Sequence, residues 1–180
     1  LLGIAAHLKN SRADRLLTRL RSGGSQRVAY REGAMREAVN VLNEGGRVGL
    51  LLDQNVLPKA GGVFVEFFGL PVPMSSAAER LSMMTGFPFV FAFCVPDERG
   101  HYRVRSPPAM RPPEAGTKKG VVTQAIAGIL EAEIRRNPGG WLWMYKRWKY
   151  VPPTAPKEKF PFYSKPMMVA GRSKKEGGTV

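Results

Sequence analysis

The pattern of apolar and polar positions divides the chain into alternating helical and extended segments. Residues 10–21, "NSRADRLLTRLR", place Leu16, Leu17 and Leu20 on one helical face among arginines, with Asn10 or Ser11 as cap and Gly23-Gly24 as stop. A short extended run, "QRVAYR", follows. In "EGAMREAVNVLNEGG", Met35, Ala38, Val39 and Leu42 recur at helical spacing, and Gly45-Gly46 ends the helix. "RVGLLLDQ" is a short continuous apolar run, as expected of a strand covered on both faces in a parallel sheet. Ser76 and Glu79 have the spacing of a capping box for a helix that closes on Gly86. "FPFVFAFCVP" reads as a core strand and "GHYRVRSPP" as an edge strand. "GVVTQAIAGILEAEIRRNPGG" reads as the longest helix, broken at Asn137-Pro138-Gly139-Gly140. Leu1-Leu2-Gly3-Ile4-Ala5-Ala6 looks like the inside of an element, so the chain is expected to be truncated at its N-terminus. Helix and strand alternate without an internal repeat, which predicts an α/β fold. The domain is expected over residues 1–151, with residues 152–180 an irregular, partly disordered basic tail.

Length and composition narrow the classes. A chain of 180 residues, 43% of them apolar, suits one α/β domain. No stretch approaches the ~18–20 apolar residues of a membrane span. Cys94 is the single cysteine, which excludes an internal disulfide, and its place in an apolar run predicts a packed thiol. With 2 histidines and no Cys/His cluster at ligand spacing, no metal is expected. The net charge is +14 and is concentrated at the two ends of the chain. Such a field attracts nucleic acid, anionic lipid headgroups and phosphorylated substrates alike.

Four constellations could carry chemistry, and each also has an ordinary reading. Asp53-Gln54 ends the presumed parallel strand, at the edge of an open α/β sheet where ligands lie; an Asp there can equally cap a loop. Arg19 and Arg21 near a helix end could clamp a phosphate, or simply form a solvated face. In "GGVFVEFFGLPVP" the glycines allow close backbone approach, and Phe64, Val65, Phe67 and Phe68 could wall an acyl chain or pack a core. "GGWLWMYKRWKYVPP" interleaves indoles with cations, which suits a membrane interface or single-stranded nucleic acid. Trp141 and Trp143 could instead close the core. Neither His7 nor His101 has a catalytic companion five positions on, where Arg12 and Ser106 stand.

Taken in order, these segments resemble the bacterial lipid A biosynthesis acyltransferases, the lauroyl/myristoyl transferases related to glycerolipid acyltransferases. The resemblance runs from about Leu8 to Lys149. It rests on Asn10 and the helix after it, Arg19-Leu20-Arg21, "GGRVGLLLDQ", "GGVFVEFFGLPVPMSS", "RLSMMTGFPFV" and "NPGGWLWMYKRWK". It implies a glycerolipid-acyltransferase-like fold with a mostly parallel central sheet flanked by helices. By the same resemblance Asp53 and Arg19 support catalysis, while Arg21, Gln54, Phe64, Glu66, Phe67 and Phe68 contact substrate. The family's histidine, followed five residues later by Asp or Glu, is expected upstream of Leu1. There the histidine would deprotonate a hydroxyl and the acid would orient the imidazole. Two departures stand out: Ala6-His7 where the family often has Arg-Pro, and Tyr145 where it usually has histidine.

The implied activity moves a fatty acyl group from acyl carrier protein or acyl-CoA to a hydroxyl of a phosphorylated glycolipid, a lipid A precursor. No cofactor is implied beyond the thioester donor. The implied partners are that donor, the glycolipid acceptor and a membrane surface, at the cytoplasmic face of the bacterial inner membrane, with the protein expected to be peripheral or single-anchored through its missing N-terminus. Another membrane-lipid acceptor, a catalytically dead lipid-binding relative and a basic nucleic-acid-binding domain are the rival readings. The last is disfavoured because the charge is spread over both ends of the chain instead of forming one patch in sequence, and no nucleic-acid motif is present.

Overall fold

Leu2 is fully buried and begins the middle strand of a small parallel sheet. The computed structural model describes residues 1–167 apart from Ala6, Lys9, Ser22, Gly24, Ser25, Arg31 and Glu32. The end of the tail expected to be disordered, residues 168–180, lies outside the described residues, as does Gly24 of the first helix stop. The chain opens with β1 (Leu2–Ala5), α1 (Ser11–Arg21), β2 (Arg27–Tyr30), α2 (Ala34–Asn43) and β3 (Val48–Gly49). Their strands pair in the order β2-β1-β3, all parallel. Asn10 caps α1, its Oδ1 accepting the N–H groups of Arg12 and Ala13 at 3.0 and 3.1 Å. α2 presses Ala34, Ala38 and Val41 into a cluster with Leu2, Ala29 and Leu81. α1 buries no residue, so Leu16 and Leu20 remain exposed among its arginines.

The second half forms around a hairpin of β4 (Gly62–Phe67) and β5 (Leu70–Ser75). Its two-residue turn has positive φ at both Phe68 (51°) and Gly69 (74°), the handedness that matches strand twist. Gly62 is required by crowding, because a Cβ there would stand 1.7 Å from the Val56 carbonyl oxygen. Then come α3 (Ala77–Thr85), β6 (Phe93–Pro96), β7 (Tyr102–Arg105), α4 (Val121–Arg136), β8 (Tyr150–Val151) and β9 (Lys165–Pro166). The hairpin's Val65, Phe67, Val72 and Met74 pack against Val122, Ile126, Ala127 and Ile134 of α4. Leu50 touches both clusters and joins the halves.

The architecture is mixed α/β, with several small sheets where one central sheet was expected. The parallel sheet has three strands; β4–β5 and β6–β7 are separate antiparallel pairs and β8–β9 a parallel one. The expected strand over 47–54 stops early because β3 pairs with β1 only through Val48 and Gly49. "FPFVFAFCVP" is not a core strand either: only Phe93–Pro96 is extended, its neighbour β7 is exposed throughout, and Cys94 is an exposed thiol. The capping box is also corrected. Ser76 Oγ donates to the Gly61 carbonyl at 2.7 Å, and the buried Glu79 accepts N–H from Gly120 at 2.7 Å and Thr123 at 2.9 Å, so it caps α4 instead. The tail is held down as far as Met167: Phe160 is buried, Ser164 Oγ donates to the Trp148 carbonyl, and Met167 N–H donates to the Val151 carbonyl at 2.9 Å.

Candidate functional site

Past β3 the chain runs outward without a strand neighbour. Leu50 and Leu52 turn inward onto the core while Leu51 is 86% exposed. Asp53 and Gln54 follow at an exposed bend, and Asn55 rejoins the structure by bridging to Met74. This bend borders a cavity of about 530 Å³. Ala78, Leu81 and Thr85 of α3, Phe89, Phe91 and Phe93, and Ile126, Leu130 and Ile134 of α4 give it apolar walls. Asp53, Gln54, Asn137 and Tyr145 bring polar groups to it. Glu133 also borders the cavity, but its carboxylate is held by Arg105, whose Nε donates at 2.7 Å and whose Nη2 donates to the second oxygen. That guanidinium holds the Glu133 carboxyl below its usual range. An apolar chamber of this size with polar groups at an exposed edge fits an extended apolar ligand bearing a polar head.

Of the sequence-predicted site residues, Asp53 and Gln54 line the cavity. Arg19 and Arg21 sit exposed on α1 and are not part of its wall. The aromatic wall expected from β4 is displaced as well. Phe67 is fully buried in the core between Trp141 and Trp148, at ring-centroid distances of 6.1 and 6.0 Å. Phe68 occupies the hairpin turn, with Arg135 over its ring at 4.7 Å, and its N–H donates to Glu131 Oε1 at 2.6 Å. Glu66 is exposed, and Phe64 is half-buried away from the cavity lining. The reason is strand geometry: the inward face of β4 packs on α4, and of the hairpin only Met74 of β5 reaches the cavity lining.

Three residues missed as site members organise the Asp53 bend. Asn55 N–H donates to Tyr145 Oη at 2.7 Å, its Nδ2 donates to the Lys146 carbonyl at 3.1 Å, and its Oδ1 accepts from Arg147 Nη1 at 2.6 Å. Arg147, expected as a surface cation, is fully buried. Burial pushes its guanidinium down to about 10, against the opposite pull of Tyr145 and Asp53, so it stays cationic at neutral pH. The one available signal was the length of the aromatic-cation block, more than an interface anchor needs. Trp141 and Trp148 pack against the core and only Trp143 of the three tryptophans is exposed, its Nε1 donating to the Pro138 carbonyl at 2.8 Å.

His7 does have an acidic partner, seven positions on where spacing suggested none. Its Nδ1 lies 2.7 Å from Asp14 Oδ2, and its ring stacks on Tyr30 at 3.6 Å. The Leu8 N–H, followed by His7, lowers the Asp14 carboxyl from its ordinary range. No metal-competent cluster of His, Cys, Asp and Glu exists among the described residues.

The comparisons with known proteins agree with the resemblance. No curated protein matches the chain. The family description "Bacterial lipid A biosynthesis acyltransferase" matches over residues 2–150, a span that includes the parallel sheet, the Asp53 bend, every wall of the cavity and the Tyr145–Arg147 segment. The chain therefore belongs to the bacterial lipid A biosynthesis acyltransferase family.

Proposed function

We propose that the protein is a membrane-surface O-acyltransferase that moves a fatty acyl group from a carrier-protein or CoA thioester to a hydroxyl of a phosphorylated glycolipid, a lipid A precursor. The observation that carries this reading is the apolar cavity with Asp53, Gln54 and Tyr145 at its exposed edge. The acyl chain would enter the chamber and leave the thioester beside those polar groups. Asp53 would accept a hydrogen bond from the acceptor or hold a cationic neighbour, and Gln54 would donate to a carbonyl or phosphate oxygen. Deprotonation of the acceptor hydroxyl falls to the His–Asp/Glu pair that the resemblance implies, with the thiolate of the donor leaving as the ester forms.

Membrane attachment in this reading is at the cytoplasmic face of the inner membrane, peripheral or through a single anchor. No helix among the described residues is long and apolar enough to cross a membrane. The exposed Leu51, Val90, Leu142 and Met144 near the cavity, and Leu16 and Leu20 among the arginines of α1, supply apolar contacts with nearby cations. Arg19 and Arg21 would then meet lipid phosphates at the surface rather than inside the chamber.

The full-length protein, incubated with acyl thioesters of graded length and a tetra-acyl lipid A precursor, should yield one acylated product by mass spectrometry. Leu130→Trp, which fills the chamber from α4, should shift the preference toward shorter chains. Unchanged chain preference would place the acyl group elsewhere, and absence of any transfer to a lipid hydroxyl would remove the activity.

A further inference from the structure

Arg147 has no exposed surface, yet only one of its three guanidinium nitrogens is bonded among the described residues. Nη1 donates to Asn55 Oδ1 at 2.6 Å and to the Pro73 carbonyl at 3.1 Å. Nε and Nη2 have no hydrogen-bond partner among the described residues. Open donors on a buried cation are destabilising, and the Phe67 ring 5.2 Å from Cζ compensates only in part. A group kept at such cost is expected to serve a second arrangement in which those donors are used.

The surroundings indicate which. Asn55 is gripped at its amide N–H, its Nδ2 and its Oδ1 by Tyr145, Lys146 and Arg147 in succession. Gripped this way, neither its backbone nor its side chain can rotate freely, so the direction of the loop leaving the cavity is set two residues after Asp53. Asp53 itself is exposed and stands two residues before Asn55, whose Oδ1 already meets the Arg147 guanidinium. Those two unused donors form a fork, the geometry a carboxylate accepts bidentately, and Asp53 is the carboxylate on the bend that Asn55 anchors.

We propose that Arg147 is a positioning residue for acyl transfer: through Asn55 it fixes the Asp53-Gln54 bend at the cavity edge, and its Nε and Nη2 receive the Asp53 carboxylate when the bend closes over bound substrate. This rests on the acyltransferase reading for its kinetic consequences, but not for the clamp itself. Tyr145 belongs to the same device as the acceptor of the Asn55 N–H.

Two measurements on the full-length protein separate these parts. Hydrogen exchange needs no activity: in Arg147→Lys, the bonded amides of Asn55 and Val56 should exchange at least about tenfold faster while those of α4 keep wild-type protection. Kinetically, Arg147→Lys should lower kcat about tenfold or more with KM for both substrates within about twofold. Added to Asp53→Asn, it should cause no further loss, because both changes remove the same contact. Should Arg147→Lys fail to fold, Tyr145→Phe, which keeps the guanidinium and releases only the Asn55 N–H, carries the exchange measurement. Losses that multiply in the double variant, or loop amides that exchange as in wild type, overturn the proposal. If the wild type transfers no acyl group at all, the acyltransferase reading fails instead, and exchange alone decides the clamp.

Discussion

At Glu79 a side chain passes over the helix it helps to start and caps another, its carboxylate accepting the Gly120 and Thr123 N–H groups at the head of α4. The carboxylate faces the positive end of that helix and is itself out of water, so both charge and acceptor count matter. Glu79→Gln keeps one acceptor and introduces a buried amide N–H₂ facing other donors. It should lower stability by about 1–3 kcal/mol, read as a reduced denaturant midpoint with an unchanged slope. A midpoint equal to wild type would mean that the amide finds partners of its own. Asp53 lies at the opposite extreme: exposed, with no core contact to lose. Asp53→Asn in the full-length enzyme should reduce turnover by about 100-fold or more while the thermal midpoint stays in place. Near-normal turnover would take Asp53 out of the site, and a large fall in the midpoint would make it structural.

Among the elements, β7 and α4 meet through charge rather than through apolar surface. β7 is exposed throughout, and Arg105 reaches from it to the buried Glu133 on the cavity wall. Because the Arg105 contact depresses the folded-state pKa of Glu133 below its ordinary 4.5, the pair adds stability above that value. The contribution is lost as pH falls through the lower folded-state value. Arg105→Gln should therefore flatten the acid limb of the stability–pH curve below 4.5 and leave its shape above pH 6 to ~8 unchanged. An identical acid limb in wild type and variant would assign acid sensitivity to other carboxylates. Element periods were legible where one face is apolar, as in α2 and α4. They misled over 50–54 and 87–92, where apolar residues line a chamber instead of pairing as strand, because an apolar run reports burial without reporting backbone partners.

For the whole molecule, the proposed work at an anionic membrane would draw on the charge of +14 and on the exposed apolar residues of α1 and of the cavity edge. Each cation near such a surface contributes about 1 kcal/mol, and the effect fades beyond a Debye length. The protein should co-sediment with vesicles containing anionic lipid, less so at high salt and much less with neutral vesicles. Arg19→Ala with Arg21→Ala should weaken that binding. Oligonucleotides should compete through charge and quench no tryptophan but the exposed Trp143, since Trp141 and Trp148 pack against the core. Strong quenching together with indifference to vesicles would support nucleic-acid binding instead.

From the sequence alone, family membership, the mixed α/β class and the four α-helices of the described residues could be read, because each rests on local pattern or on residues close in sequence. Tertiary structure alone decided which groups share the site. It moved Phe67 and Phe68 into packing, left Arg19 and Arg21 on an exposed helix, and joined Asn55 to Tyr145 and Arg147 across some ninety positions. It likewise gave Glu79 to α4 and His7 to Asp14. The physical reason is that periodicity records which side of an element is dry. What that side faces depends on contacts between segments distant in the chain, and no local pattern encodes those.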